Sequence, residues 1–212
     1  TNGQGNINSF ITSSTLINPE VSTITITPSY TNNITCTGAS QIFTITVNPT
    51  PITTDPIDQV LCNGSSTQAV NFTSSVNNSS YSWTNTNTTI GLGASGNGPI
   101  PSFIAVNGTN IPQVATITVT SSFTNAGVTC TGTTQTFTVT VNPTPTVNDP
   151  LDLTLCNNAQ TNPVNFTGNV AGTVYNWTNS LPNIGLTSTG TGNIAPFVAT
   201  NPSTTTVIAD LS

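Results

Sequence analysis

The stretch TFTVTVNPTPTVNDP, residues 136–150, alternates Thr with Phe and Val and then breaks on two prolines. Strict alternation puts one apolar and one hydroxylated face on an extended strand, the pattern of a half-buried β-strand. The prolines cannot donate to a ladder and hold the residue before each in extended backbone, so VNPTP ends the strand in a stiff hinge. A near copy, IFTITVNPTPITTDP, stands at residues 42–56, 94 positions earlier. The chain is therefore a tandem array, and the strand-plus-hinge is its period mark.

Other residues keep the same spacing. Cys36 recurs as Cys130, Cys62 as Cys156, Phe72 as Phe166, Tyr81 as Tyr175, Trp83 as Trp177 and Phe103 as Phe197. TNNITC is one residue shorter than its counterpart TNAGVTC, an indel that reads as a tolerant hairpin loop. Cutting at the hinge gives the C-terminal half of a repeat at 1–49, a complete repeat at 50–143 and the N-terminal part of a third at 144–212. Neither end falls at a hinge, which is what a window cut from a longer array presents.

Within the complete repeat, alternation bounded by turn residues predicts strands at 58–62, 68–76, 80–85, around Phe103, at 113–123 and at 134–141. Helix-forming vocabulary is nearly absent, and no helix is predicted. Six to eight short strands in about 94 residues have the rhythm of an Ig-like sandwich. The fold class expected is all-β, tandem Ig-like β-sandwich domains in a linear array. Ile117, Val119, Phe137, Val139 and Val141 point inward in this reading, with Trp83 as core anchor.

Composition narrows function more by exclusion than by assignment. The 212 residues include no Lys, Arg, His or Met, six carboxylates and a formal charge of −6. Nothing is available to neutralise phosphates, which argues against nucleic acid and anionic membranes. No run of about 18 apolar residues suggests a membrane-spanning helix. Ser, Thr and Cys are present, but no His or Lys exists to activate them, so the chain is read as no enzyme. The Gly-rich run GLGASGNGP at 91–99 lacks the Lys and the strand-to-helix context of a phosphate loop and reads as turns.

Three feature sets remain as candidate sites. Two cysteines per repeat suggest disulfides in an oxidising, extracellular setting. Pairing within the repeat joins Cys62 to Cys130 and leaves Cys36 and Cys156 for partners beyond the window. Pairing across the hinge joins Cys36 to Cys62 and Cys130 to Cys156. The first is favoured because it gives each unit its own staple. The carboxylate pairs Asp55/Asp58 and Asp149/Asp152 follow each hinge, where Ca²⁺ would stiffen a rod. Two carboxylates make a thin site, and solvation of an exposed linker is the simpler reading. Asn-x-Ser/Thr sequons are numerous, among them Asn33, Asn63, Asn71, Asn78, Asn87, Asn107, Asn165 and Asn176; they are acceptors for glycosylation in a eukaryotic secreted chain, though in a chain this rich in Asn and Thr many arise by chance.

With VLCNGSSTQAVNFTSS, YSWTNTNTTIGLGASGNGPIPSF, ATITVT and VTCTGTTQTFTVTVNPTP in view, the repeat resembles the PKD-like repeats of giant surface proteins of Bacteroidetes, including gliding-motility adhesins. The Gly-Asp and Trp-Asp-Phe-Gly elements of typical PKD domains are absent. The resemblance implies Ig-like modules in tens of copies, type IX secretion and display at the extracellular cell surface, with no catalytic residues to carry over. A structural stalk for surface adhesion or gliding motility follows as the expected function. Its expected partners are neighbouring repeats, a surface glycan or protein receptor, and the secretion or motility machinery. A carbohydrate- or protein-binding Ig-like module, or an adhesin held as cargo by its secretion machinery, is the alternative.

Overall fold

The computed structural model describes residues 3–212. The chain is all-β, with its sheets in a sandwich-like arrangement. Two compact units are present. One runs through Val106 and resumes at Val114–Val141; the other comprises Asn107–Gln113 and Asn142–Ser212.

In the first unit, β1 (Glu20–Ile26) pairs antiparallel with β4 (Gln41–Val47), and β2 (Ser29–Asn32) with β3 (Ile34–Thr37). Pro28 separates β1 from β2, as a residue without an N–H must. The complete repeat supplies a six-stranded sheet from β5 (Gln59–Cys62), β6 (Ser80–Asn85), β7 (Ser95–Asn97), β8 (Gln113–Asn125), β9 (Val128–Thr131) and β10 (Gln135–Asn142). Its order is β5-β10-β8-β6-β7, with β9 on the outer part of β8. The one-residue indel falls in the β-turns, between Asn32 and Ile34 in one copy and between Asn125 and Val128 in the other.

β8 and β10 follow the alternation of their sequences. Ile117, Val119 and Val141 are completely buried, and Phe137 and Val139 nearly so, while the threonines between them are less buried. Trp83, opposite Val119 on β6, closes this core with Ile90, Leu92, Ile100, Ala105 and Ala115. Its indole lies on Gly96 of β7, where any Cβ would run into the ring. Gly190 and Trp177 repeat the arrangement between β11 (Asn176–Thr178) and β12 (Thr189–Thr191) of the second unit.

Several expectations are revised. Residues 68–76 form no continuous strand; isolated bridges, Val70 to Ile100 and Thr53 to Ser74, hold them. Around Phe103 there is likewise only a bridge, from Ser66 to Ile104. Two single-turn 3-10 helices, Thr88–Ile90 and Pro182–Ile184, stand where none was predicted, each closed by a left-handed glycine, Gly91 or Gly185. The first hinge is no free linker. Pro49 and Pro51 are fully buried, and a Cβ at Gly132 would collide with the Pro51 carbonyl oxygen. Beyond them Thr53 Oγ1 donates to Ser121 Oγ at 2.8 Å, and Ser75 N donates to the Ile52 carbonyl at 2.9 Å.

The three copies of the repeat make an internal experiment. Residues 153–156 (LTLC) match β5 but form no strand, and β11 has three residues where β6 has six. Among the described residues, no counterpart of β10 or of the outer half of β8 lies beside them. Conversely β1 and β4 carry the inward residues of β8 and β10, yet Ile26 is 51% exposed and Phe43 40%.

Burial difference at equivalent positions gives the first prediction. Ile117→Ala should lower the stability of the complete repeat by about 2–5 kcal/mol, because it empties a closed core. Ile24→Ala, at the matching but half-exposed place on β1, should cost about 1 kcal/mol or less. Urea unfolding followed by Trp fluorescence checks both.

Candidate functional site

The carboxylates following each hinge come from the extended segment that enters a repeat. Asp55 and Asp58 are both exposed and border a shallow groove of about 290 Å³ lined by Thr54–Gln59 and Gln68–Phe72. Asp58 does not face this groove alone: its Oδ1 accepts the backbone N–H of Thr138 on β10 at 2.6 Å. One carboxylate oxygen thus satisfies a β10 donor beside β5. Gln59 continues the same work, its side-chain amide donating to and accepting from the Gln68 backbone. Asp149 and Asp152 are exposed as well. Among the described residues no three His, Cys, Asp or Glu side chains converge as a metal site would need.

The cysteines are all free thiols. Cys36, Cys62 and Cys156 are exposed, and Cys130 is half-buried with its Sγ 3.8 Å from the Asn48 carbonyl. Cys62 and Cys130 are not brought together. Cys130 pairs with Phe123, near the outer end of β8. The turn after Cys62 bonds to Ala105, whose neighbour Val106 bonds to Ile90, beside the Thr86–Thr116 contact towards the other end of β8. Seven residues of strand, roughly 23 Å at 3.3 Å per residue, separate those two levels. That is far beyond the reach of a disulfide.

Several sequons have a structural explanation that spacing alone did not reveal. Asn107 Oδ1 accepts both the N–H and the Oγ1–H of Thr109, each at 2.8 Å, and Asn87 does the same for Thr89. Asn201 does so for Ser203, at the position equivalent to Asn107, although Pro202 makes that triplet useless for glycosylation. The turn persists where the sequon is abolished. Asn-x-Thr at these places is therefore turn chemistry, the Asn side chain standing in for a backbone acceptor.

A second groove, about 280 Å³, lies over β6, β7 and β8 and is lined by Ser82, Thr84, Ser95, Asn97, Thr118, Thr120 and the edge of Trp83. Trp83 Nε1 is buried without an acceptor, whereas Trp177 Nε1 donates to Gly192 O at 3.1 Å. Hydroxyl and amide groups on a sheet face bind water or polyols by hydrogen bonding; they contain no general base and no activated nucleophile. No helix of the described residues is long and apolar enough to cross a membrane. Searches against protein-family profiles, curated proteins and solved structures return no match.

Two outcomes follow. Asp58→Ala should lower the urea midpoint of the complete repeat, by loss of the Thr138 bond, and Asp55→Ala should leave it nearly unchanged. Both results should be the same with Ca²⁺ or with a chelator; a midpoint raised by Ca²⁺ and lost in Asp55→Ala would restore the metal reading. Under native conditions Ellman's reagent should label Cys36, Cys62 and Cys156 quickly and Cys130 more slowly, in line with exposure.

Proposed function

We propose that the chain is a structural segment of an extracellular surface stalk, built from tandem Ig-like repeats and serving adhesion or gliding motility without catalysis. The observation that supports it most is tiling. The same core positions, the same Trp-on-Gly contact and the same Pro-rich entry recur along the chain. Repetition of a complete core serves reach and spacing, since each added unit lengthens the chain by the same step. The Thr-rich strand faces suit this role. They hydrate the surface without charge, and a chain lacking Lys and Arg offers trypsin-like proteases no cleavage site.

Buried Pro49 and Pro51 add to the reading, because a hinge packed into the repeat that follows transmits orientation where a loose linker would not. Asn48 strengthens the hold. Its Nδ2 donates to the Asn125 carbonyl at 3.1 Å, and Asn125 Nδ2 returns a bond to Asn48 Oδ1 at 2.8 Å. The location belongs to the proposal through the PKD-like resemblance, which implies export by the type IX route and display on the cell surface.

The test is topological. Antibodies to residues 50–141 should label intact producing cells, and deleting the parent gene should reduce attachment or gliding. Labelling that appears only after permeabilisation would overturn the proposal.

A further inference from the structure

The segment that enters the complete repeat leaves a gap in its own pairing. It runs antiparallel to residues 68–75 and is tied to them at two places. At one, Thr53 bridges Ser74, and Thr54 N donates to Thr73 O at 2.9 Å. At the other, the Gln59 side-chain amide donates to Gln68 O at 3.1 Å and accepts from Gln68 N at 2.9 Å. One register joins both ties and sets Asp55 against Phe72 and Ile57 against Val70. No ladder forms at those rungs. Val70 commits both main-chain groups to Ile100, at 2.9 and 3.0 Å, and Pro56 has no N–H to give. Asp55, Ile57 and Asn71 make no hydrogen bond among the described residues, and all three line the groove of about 290 Å³.

We propose that this groove takes one extended, Lys- or Arg-bearing segment of a partner protein by strand addition. Such binding draws affinity from main-chain bonds and selectivity from side chains placed alternately along the strand. Both walls supply extended backbone with uncommitted N–H and C=O groups, fixed on either side of the gap. The Gln59 amide shows the slot already holding a peptide-like group, since a carboxamide offers the same donor and acceptor as a peptide bond. Charge selects the occupant. The Asp55 carboxylate is exposed and unpaired, and Asp58 holds Thr138 N through Oδ1 alone. The 212 residues contain no Lys or Arg to neutralise either group, so complementarity points to a cationic partner. Ile57, 85% exposed, offers an apolar rest for the stem of a Lys or Arg whose head reaches a carboxylate.

The second unit is an internal control. It carries the same carboxylate pair, Asp149 and Asp152, and the equivalent tie from Asn148 N to Thr167 O at 2.8 Å. Leu153 stands where Gln59 does and Pro163 where Ala69 does, so the amide tie is absent and one wall loses a main-chain donor. Charge alone would draw a cationic peptide to both units equally; strand addition confines it to the first. The proposal goes beyond the stalk reading and does not rest on it, since producing cells can be surface-labelled whether or not the groove binds.

The probe is a synthetic acetylated peptide alternating Thr and Lys, about eight residues long, enough to span the roughly 20 Å of residues 54–59. Added to the isotope-labelled 212-residue chain, it should shift the amide resonances of Asp55, Ile57 and Asn71 and leave those of Asp149, Asp152 and Leu153 in place. Asp55→Asn, at an exposed residue without bonds, should weaken binding about two- to fivefold. Replacing each Thr of the peptide by Pro keeps its charge, removes half its donors and should weaken binding by about tenfold. Replacing each Lys by Glu should abolish binding. No shift in the groove, equal shifts in the second unit, unchanged binding by Asp55→Asn, or equal affinity for the Pro or Glu peptide would each overturn the proposal. Ca²⁺ alone shifting the same amides, reversibly with a chelator, would overturn it as well and assign the groove to an ion.

Discussion

Backbone pairing with β8 and β10 is the constraint on which the rest of the complete repeat depends. β8 holds β6 on one side and β10 on the other, and β10 holds β5. Their inward side chains form the floor on which Trp83 and the 3-10 turn rest. The second unit shows what remains when those partners are not beside it. The loops and bridges survive, including Val164 to Ile194 and Gln160 to Val198, while β5 vanishes and β6 is halved. Local sequence is therefore sufficient for the turns and insufficient for the outer strands. A strand is a property of the pair: QVLC lies beside β10 and is a strand, whereas LTLC, with no such partner alongside, forms none.

Much of this was legible in the residues themselves. Alternation in ATITVT and TFTVTV named the buried face of β8 and β10 correctly, and SYSWTN marked the bounds of β6. Those segments are long or contain a large aromatic, so burial dominates and periodicity reports it. The segment 68–76 looked equally regular, but it lies where the chain touches neighbours at single points. Alternation there records which side chains turn inward and says nothing of a continuous ladder. The hinge misled for a related reason. Proline cannot donate to a sheet, which is true, but a residue with no donor to satisfy is also inexpensive to bury.

The candidate sites were harder to read than the fold. Regular cysteines suggested a staple, yet equal spacing along a chain does not specify which end of a sheet each residue reaches. The Asp pairs suggested an ion, yet Asp58 is committed to a backbone N–H across the sheet. Asn-x-Thr triplets suggested sugars, while Asn87, Asn107 and Asn201 use the same spacing to close turns. In each case a residue type with well-known chemistry performs local hydrogen bonding, the ordinary task of polar groups in a chain with so few charges.

The anchoring of the entry segment has a mechanical consequence. Around Thr53 the chain is tied to residues 73–75 by Thr54 N to Thr73 O, Ser75 N to Ile52 O and Ile52 N to Ser75 Oγ, and to β8 through Ser121. These bonds lie across the direction of the segment. A tensile load entering through Asn48 meets the reciprocal Asn48–Asn125 bonds first and then these bonds, in shear. A pull on the entry segment is thus opposed on both sides of the prolines, by Asn48 before them and by Ile52, Thr53 and Thr54 after them.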